Sequence, residues 1–256
     1  MLQLESVNFS YPDRPPVFQN FSWEVQRGET WAILGPSGCG KTTLLYLVAG
    51  LLFPQAGQVR IDSELLTRPR PHTGLIIQEY GLLPWSTVRD NARLGLRLRE
   101  FYGPDGVHSP QDFQPHLNVD PWLQRLGILH LADKYPGQIS GGERQRAAIA
   151  RTLSLEPDLL FMDEPFSSLD APTRESLQNL TLELQKEQNL TLLIVTHTIE
   201  EAAILGKKIL LLGNPPTGRP HVILNPHSGD VNYRGSDDYQ TLCRHLREDM
   251  EEDKAL

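Results

Sequence analysis

The pattern of hydrophobic positions along the chain predicts eight short strands. Those at residues 158–162, 191–195 and 208–212 are almost entirely apolar, which is typical of central strands in a parallel sheet, where both faces are covered. The stretch YPDRPP at residues 11–16 has the composition of a turn. The predicted strands cover residues 2–8, 23–25, 30–34, 59–61, 74–77, 158–162, 191–195 and 208–212.

Helical patterns dominate residues 85–155 and return later in the chain. Thr87 and Asp90 form a start signal for a helix that continues to about residue 100. Residues 173–188 predict an amphipathic helix with three leucines on one face. Residues 103–121 are rich in Pro, Gly, Asp and His and predict a long loop. Strands and helices together predict an α/β fold.

The composition argues against several kinds of protein. The net charge is −8, whereas a nucleic-acid binder needs a basic face, so no nucleic-acid partner is expected. The longest apolar run, residues 44–53, would rise only about 15 Å as a helix, roughly half of a bilayer core. The N-terminus does not have the pattern of a signal peptide. The two cysteines, Cys39 and Cys243, lie far apart and predict no disulfide framework.

A glycine-rich sequence, GPSGCGKTT, joins the strand at 30–34 to a helical pattern and matches the phosphate-binding motif G-x-x-x-x-G-K-[ST]. Glycines leave backbone N–H groups open to phosphate oxygens, and the helix start adds a positive dipole end. We expect Lys41 to reach the β- and γ-phosphates and the Thr42 hydroxyl to ligate Mg²⁺. A simple turn between strand and helix is the alternative. The predicted cradle consists of Gly35, Pro36, Ser37, Gly38, Cys39, Gly40, Lys41, Thr42 and Thr43.

Within this loop, Cys39 has two interpretations. It is either a small filler residue, which we favour, or a thiol with a redox role. Because Lys41 and the helix start both favour a thiolate, we expect a depressed pKa and labelling of Cys39 by maleimide in the nucleotide-free protein. Cys243, in a polar segment, is expected to label independently of nucleotide.

Two acids follow the apolar strand at 158–162. Ligands of α/β proteins bind where such strands end, so Asp163 is expected to hold Mg²⁺ and Glu164 to polarise the attacking water. The sequence DEP is also good turn chemistry, and a turn with a helix N-cap is the alternative. Together with the glycine-rich loop, these acids predict a P-loop NTPase.

The sequence ISGGERQR at residues 139–146 closely resembles the signature motif of the ATP-binding cassette (ABC) ATPases. Other motifs follow the order of that family. Tyr11 matches the aromatic residue that stacks on adenine, Gln78 the Q-loop glutamine, SSLD at 167–170 the D-loop, and His197 the switch histidine. From the residues alone, Tyr11 could also be an ordinary turn aromatic, and His197 a buried core histidine.

The resemblance implies a P-loop NTPase fold with a RecA-like core, a small antiparallel β-subdomain and an inserted helical subdomain. It implies ATP and Mg²⁺ as cofactors and catalytic roles for Glu164, His197, Gln78 and Lys41. The implied metal ligands are Thr42, Gln78 and Asp163. The implied units are an ABC ATPase domain at 1–225, its RecA-like and β lobe at 1–84 and 156–225, its helical subdomain at 85–155, and a short C-terminal helical tail at 226–256.

The resemblance also implies a head-to-tail dimer, in which each ATP lies between one subunit's glycine-rich loop and Ser140, Gly141 and Gly142 of the other. The residues support a second anion site independently, because Ser140 and Glu143 predict a capping box at a helix start. A capped surface helix is the alternative, and Asp170 can serve both as an N-cap and as a dimer contact. The sequence departs from the usual family pattern at Ile139, Glu143 and Thr198.

The sequence EYGLLPWSTVRDN at residues 79–91 looks like the corresponding segment of importer ATPases for nitrate, sulfonates and taurine. We expect Leu82, Leu83, Pro84 and Trp85 to form an apolar groove beside Gln78 for a helix of a transmembrane permease. Burial of the two leucines under the helical subdomain is the alternative.

The resemblance thus implies an importer ATPase on the cytoplasmic face of the membrane, which works with permease subunits and, indirectly, a substrate-binding protein. The implied cargo is a small anion such as nitrate, a sulfonate or taurine, or a vitamin precursor. A soluble mechanochemical ABC ATPase of translation or DNA repair, and the ATPase of an exporter, are the alternatives.

Overall fold

The computed structural model describes residues 1–103, 117–230 and 232–255, which contain ten strands and seven α-helices. The strands are β1 (Leu2–Ser10), β2 (Pro16–Val25), β3 (Thr30–Leu34), β4 (Ala56–Ile61), β5 (Glu64–Leu65), β6 (Thr73–Ile76), β7 (Leu159–Asp163), β8 (Thr191–Thr196), β9 (Lys208–Leu211) and β10 (His221–Leu224). The helices are α1 (Lys41–Val48), α2 (Val88–Tyr102), α3 (Asp120–Arg125), α4 (Gly141–Leu153), α5 (Ala171–Gln188), α6 (Ile199–Leu205) and α7 (Asp237–Ala255).

A six-stranded sheet with the order β10-β9-β3-β8-β7-β6 forms the centre of the protein. All neighbouring pairs are parallel except β9 with β10. Every residue of β3, β7 and β8 is buried. The prediction of central parallel strands is confirmed for β7 and β8, whereas β9 begins with the partly exposed Lys208 and pairs antiparallel with β10 on one side. Helices and parallel strands alternate around this sheet, so the predicted α/β fold class is correct.

A second, antiparallel sheet has the order β2-β1-β4-β5. The prediction that β2 begins at residue 23 is wrong, because the strand starts at Pro16 and buries Phe18 and Phe21. Proline is tolerated at the first position of a strand, where its missing N–H is not needed. The predicted turn before it is present, with the Arg14 amide donating to the Tyr11 carbonyl oxygen over 3.1 Å.

The region between β6 and β7 is helical. α2 begins as predicted, since the Thr87 hydroxyl accepts a hydrogen bond from the Asp90 amide. The predicted loop at 103–121 is too long, because α3 starts at Asp120; its residues 104–116 lie outside the described part of the chain. The sequence prediction also missed α6, β5 and β10, which are short. In the ranges that the structure describes, no helix is long and apolar enough to cross a membrane.

Candidate functional site

Four neighbouring parallel strands bring the candidate residues to one edge of the central sheet. The glycine-rich loop follows β3, His197 follows β8, Glu164 follows β7, and Gln78 follows β6. A cavity of about 750 Å³ opens at this edge, the position where α/β sheets bind ligands. It is lined by Tyr11, Arg14, Pro15, Val17, Ser37, Gly38, Gly40, Lys41, Thr42, Thr43, Gln78, Glu164, His197 and Pro215.

The glycine-rich loop wraps around the ammonium group of Lys41. Its Nζ donates to the carbonyl oxygens of Gly35 and Pro36, each over 2.8 Å. Gly40, at the N-cap of α1, has a φ of +104°, and a Cβ there would lie 2.5 Å from a methyl group of Val17. Only glycine fits that position, so the loop can place a positive charge and open backbone amides in the cavity.

Beside Lys41, two oxygen donors form a pair at the end of β7. The Thr42 hydroxyl donates to Asp163 Oδ2 over 3.1 Å. Burial raises the pKa of Asp163, and the charge of Glu164 raises it further, against the opposing effects of Thr42 and Lys41. An incompletely compensated carboxylate beside a hydroxyl has the chemistry of a site for a hard divalent cation.

Glu164 lies between the side chains of Gln78 and His197. Gln78 Nε2 donates to Glu164 Oε2 over 3.2 Å, and His197 Nδ1 lies 3.1 Å from Glu164 Oε1. The backbone of Glu164 has a φ of +46°, a region that costs a non-glycine residue about 1–3 kcal/mol. This carboxylate therefore has a fixed orientation toward the cavity.

Tyr11 forms the opposite wall of the cavity. Its hydroxyl lies 3.1 Å from Thr43 Oγ1, and its ring meets Phe9 edge to face. Arg14 and Pro215, which also line the cavity, were missed by the sequence analysis. Arg14 stands in the predicted turn and could have been noted as a cation, whereas Pro215 gives no sequence signal, since only folding brings its loop beside β2.

The signature residues lie apart from this cavity. Gly141 lines a second cleft of about 670 Å³, together with Tyr80, Arg144 and Ser168. The predicted capping box is confirmed: the Ser140 amide donates to the Glu143 carboxylate over 2.7 Å, and the Glu143 amide donates to Ser140 Oγ over 3.3 Å. Gly142 is buried, and Asp170 is the exposed N-cap of α5.

The expected depressed pKa of Cys39 is wrong, whereas its favoured interpretation as a filler residue is confirmed. Cys39 is 1% exposed, and its sulfur lies under the loop, close enough that a Cβ on Gly35 would approach within 2.7 Å of it. Burial raises the pKa of Cys39, and the charge of Lys41 only partly opposes this. Cys243 is 4% exposed, and its pKa is also raised by burial. Cys39 is therefore a filler residue beneath the loop.

The apolar segment beside Gln78 is partly exposed. Trp85 has 73% of its surface exposed and Pro84 is exposed, whereas Leu82 and Leu83 are half-buried. The exposure of the two leucines is therefore intermediate between the two alternatives, an open apolar groove and burial under the helical subdomain.

Comparisons with known proteins agree with this geometry. Residues 18–167 match the family model described as ABC transporter. The chain is 39% identical over 218 residues to the taurine import ATP-binding protein TauB of Ruegeria pomeroyi, covering 84% of this chain and 78% of TauB. It is 36% identical over 219 residues to the bicarbonate transport ATP-binding protein CmpD of Synechocystis, covering 84% and 75%. These similarities confirm the resemblance to importer ATPases.

Solved structures show the same architecture. The structure of cbiO1 from Clostridium perfringens, part of the ABC transporter complex cbiONQ, has a TM-score of 0.72 and 28% identity and covers 88% of both chains. A dimeric ATP-binding cassette in a post-hydrolysis state with ADP and Pi also has a TM-score of 0.72, with 26% identity, covering 88% of this chain and 98% of that one. The chain therefore belongs to the ABC transporter family and is an ATP-binding cassette ATPase with the α/β fold of a P-loop NTPase.

Proposed function

We propose that the chain is the ATP-hydrolysing subunit of an ABC importer and couples ATP-driven dimerisation to transport through separate membrane subunits. The convergence of Lys41, Gln78, Glu164 and His197 on one cavity carries this proposal. The names of the relatives TauB and CmpD, which refer to taurine import and bicarbonate transport, support import.

In this mechanism, Lys41 exchanges its two backbone carbonyl partners for the β- and γ-phosphate oxygens of ATP, which are stronger acceptors. The ring of Tyr11 stacks on the adenine. Glu164 takes a proton from the attacking water as general base, with Gln78 orienting its carboxylate. His197 lies beside the same carboxylate and binds the γ-phosphate.

The donor set at the end of β7 fits Mg²⁺. The ion prefers one or two carboxylates combined with substrate phosphates; Thr42 and Asp163, with Gln78 after β6, would supply oxygen atoms of the required kind. When bound, Mg²⁺ neutralises phosphate charge. In the described ranges, no group of three or more His, Cys, Asp or Glu side chains could hold a metal, and the phosphates of the nucleotide would add ligands to the site.

The position of the signature residues supports the dimer, because Ser140, Gly141 and Gly142 do not line the first cavity. A second copy in head-to-tail orientation would place its Ser140, Gly141 and Gly142 against the first copy's ATP, with Asp170 at the contact. Ser140 Oγ donates to Glu143 over 2.9 Å, so the hydroxyl must turn from that carboxylate to the phosphate. The hydrogen bonds from the Ser140 amide and hydroxyl lower the pKa of Glu143, whose charge therefore competes with the phosphate.

The apolar segment at Leu82–Trp85 supports the remaining assignments. We assign it as the docking surface for a permease helix, which would place the chain peripherally on the cytoplasmic face of the membrane. A substrate-binding protein would deliver the cargo, a small anion such as nitrate, a sulfonate or taurine, or a vitamin precursor. Co-purification with a multi-span permease, followed by transport into vesicles, separates this role from an exporter or a soluble mechanochemical ATPase.

The central test replaces the proposed general base. Glu164→Gln should lower ATP turnover by at least about 100-fold, because proton transfer is lost, and should leave MgATP affinity unchanged. Lys41→Ala is the contrasting variant and should lose affinity. Calorimetry and phosphate release measure the two effects. Loss of binding in Glu164→Gln as large as that in Lys41→Ala would contradict the assignment.

The same variant tests the dimer. Glu164→Gln with ATP should move from monomer to dimer on gel filtration, and Ser140→Arg in that background should prevent the shift by filling the space for the partner's γ-phosphate. Dimerisation that does not depend on nucleotide would contradict the head-to-tail arrangement.

A further inference from the structure

A tyrosine behind the apolar segment joins two other parts of the protein. Tyr80 is 8% exposed, and its hydroxyl lies 2.6 Å from Ser168 Oγ in the SSLD segment. The guanidinium carbon of Arg144, in the first turns of α4, lies 5.9 Å from the centre of the Tyr80 ring, within cation–π range. Arg144 also donates to the carbonyl oxygen of Ile139 over 3.1 Å. Tyr80 thus contacts both walls of the second cleft.

The backbone of Tyr80 is held from behind by α4. Tyr80 and Gly81 both have a φ of +62°, and this conformation is unfavourable for a tyrosine. Arg151, near the end of α4, donates to the carbonyl oxygen of Tyr80 over 2.8 Å and to that of Gly81 over 2.6 Å. A planar guanidinium can hold two successive carbonyl groups in one geometry, so this turn is tied to the helix that begins at the signature residues.

The rest of the segment is held by Asn91 of α2, which is fully buried. Its Oδ1 accepts from the Leu83 amide over 2.7 Å, and its Nδ2 donates to the carbonyl oxygens of Leu83, Ser86 and Thr87 over 3.0–3.1 Å. Residues 80–87 are thereby tied to two helices and should move as one body with them.

We propose that Tyr80 is a positioning residue for the nucleotide sandwich, the head-to-tail dimer with ATP between its subunits. Tyr80 transmits displacements of residues 82–85 to Ser168 and to the start of α4. The inference rests on the proposed function, because it assumes that 82–85 is the docking surface and that the second cleft receives the partner's ATP. The hydroxyl contact with Ser168 is the critical link, since Ser168 is exposed and Tyr80 ties its side chain to the rest of the second cleft.

A double-mutant cycle tests this link in the full chain with Glu164→Gln present. Tyr80→Phe removes only the hydroxyl, and Ser168→Ala removes its partner. Each should weaken ATP-dependent dimerisation by about three- to tenfold, as expected for one hydrogen bond, and the double variant should be no weaker than either single one. The control is Tyr102→Phe, which deletes a hydroxyl from an exposed tyrosine of α2 and should change nothing. Analytical ultracentrifugation measures the dimer.

MgATP affinity of the monomer is the readout that separates positioning from general damage. It should be unchanged in Tyr80→Phe, because Tyr80 does not line the first cavity. Additive losses in the cycle, or unchanged dimerisation, would overturn the proposal.

Amide exchange tests the link without the dimer. The amides of Ser167 and Leu169 donate to the carbonyl oxygens of Glu164 and Phe166 over 3.4 and 3.3 Å, and release of Ser168 should expose these turns. Tyr80→Phe should therefore speed exchange in 167–169 severalfold, and unchanged exchange overturns the proposal. If Glu164→Gln with Tyr80 intact fails to dimerise, the sandwich of the proposed function is wrong and the exchange result alone decides the link.

Discussion

Two aspartates at opposite ends of one strand have pKa values shifted in opposite directions. Asp158 lies just before β7, and Asp163 is its last residue. Burial would raise the pKa of Asp158, but hydrogen bonds and charges from Arg70 and Arg27 lower it below the ordinary value. At the other end of the strand, burial raises the pKa of Asp163, and its nearest partner is the uncharged hydroxyl of Thr42.

The opposite pKa shifts distinguish the amino end of β7, where charges stabilise the fold, from its carboxyl end, where the candidate site lies. At the amino end, Arg70 and Arg27 reach Asp158, and Asp62 joins the same ion-pair network. At the carboxyl end, the charge of Asp163 remains incompletely matched until a cation arrives. Functional carboxylates commonly show this pattern, and they lower the stability of the ligand-free protein.

The largest effect should come from Asp163→Asn. The substitution keeps an oxygen for the Thr42 hydroxyl but removes the charge expected to hold Mg²⁺, so ATP turnover should fall by about 100-fold or more. Thermal unfolding without nucleotide should shift upward by about 2 °C, since a buried charge is lost. Scanning calorimetry and phosphate release check both results. A lower unfolding temperature in Asp163→Asn would show that Asp163 stabilises the fold as Asp158 does, which would contradict the difference between the two aspartates.

Asp158→Asn should produce the reverse pattern. Loss of the charge-assisted bonds from Arg70 should lower the free energy of unfolding by about 2 kcal/mol, while turnover at 25 °C stays near that of the wild type. Urea unfolding measures the change. Asp62→Asn is the matched control, because Asp62 is more exposed than Asp158 and should contribute less. Equal losses in the two variants would argue against a special role for Asp158.

The smallest effect is the pH dependence of the stability changes in Asp163→Asn and Asp158→Asn. The folded-state pKa of Asp158 is lowered, so its contribution to stability is present above the unfolded-state pKa and is lost as pH falls through the folded-state pKa. The raised pKa of Asp163 gives the opposite sign, and its destabilising effect also disappears in acid, where it is protonated in both states. Asp163→Asn should therefore approach the wild-type unfolding temperature as pH falls toward the ordinary aspartate pKa of about 3.9, whereas Asp158→Asn should do so only as pH falls below that value. Differences that do not depend on pH would mean that packing, rather than charge, causes them.

The sequence predicted the parts of the site that local motifs specify. The glycine-rich loop, the acids after β7 and the capped start at Ser140 depend on short-range patterns, and each lies at the expected end of its element. β2 was missed in part because the preceding prolines indicate a turn, whereas pairing with β1 extends the strand to Pro16.

The main errors in the sequence predictions for the site concern the direction in which a side chain points. The position of Cys39 in the loop gave no information on which side of the backbone its thiol lies, and the structure packs it against Gly35. In the same way, the contacts of Tyr80 with Ser168 and Arg151 join residues 71 to 88 positions apart, which no local pattern reveals. Tertiary packing determines which of these distant residues come into contact.

The four backbone hydrogen bonds of Asn91 have a consequence for how this surface can evolve. Because Asn91 holds the Leu83 peptide from the interior, the shape of the segment does not depend on the side chains it presents outward. The exposed residues Pro84 and Trp85 can then be replaced without loss of the loop conformation, whereas Leu82 packs against the hydrophobic core. Since the segment is already ordered, it would lose little conformational entropy on binding, so even a small apolar contact could contribute to affinity. The residues that the segment exposes are thus distinct from the residue that holds its backbone.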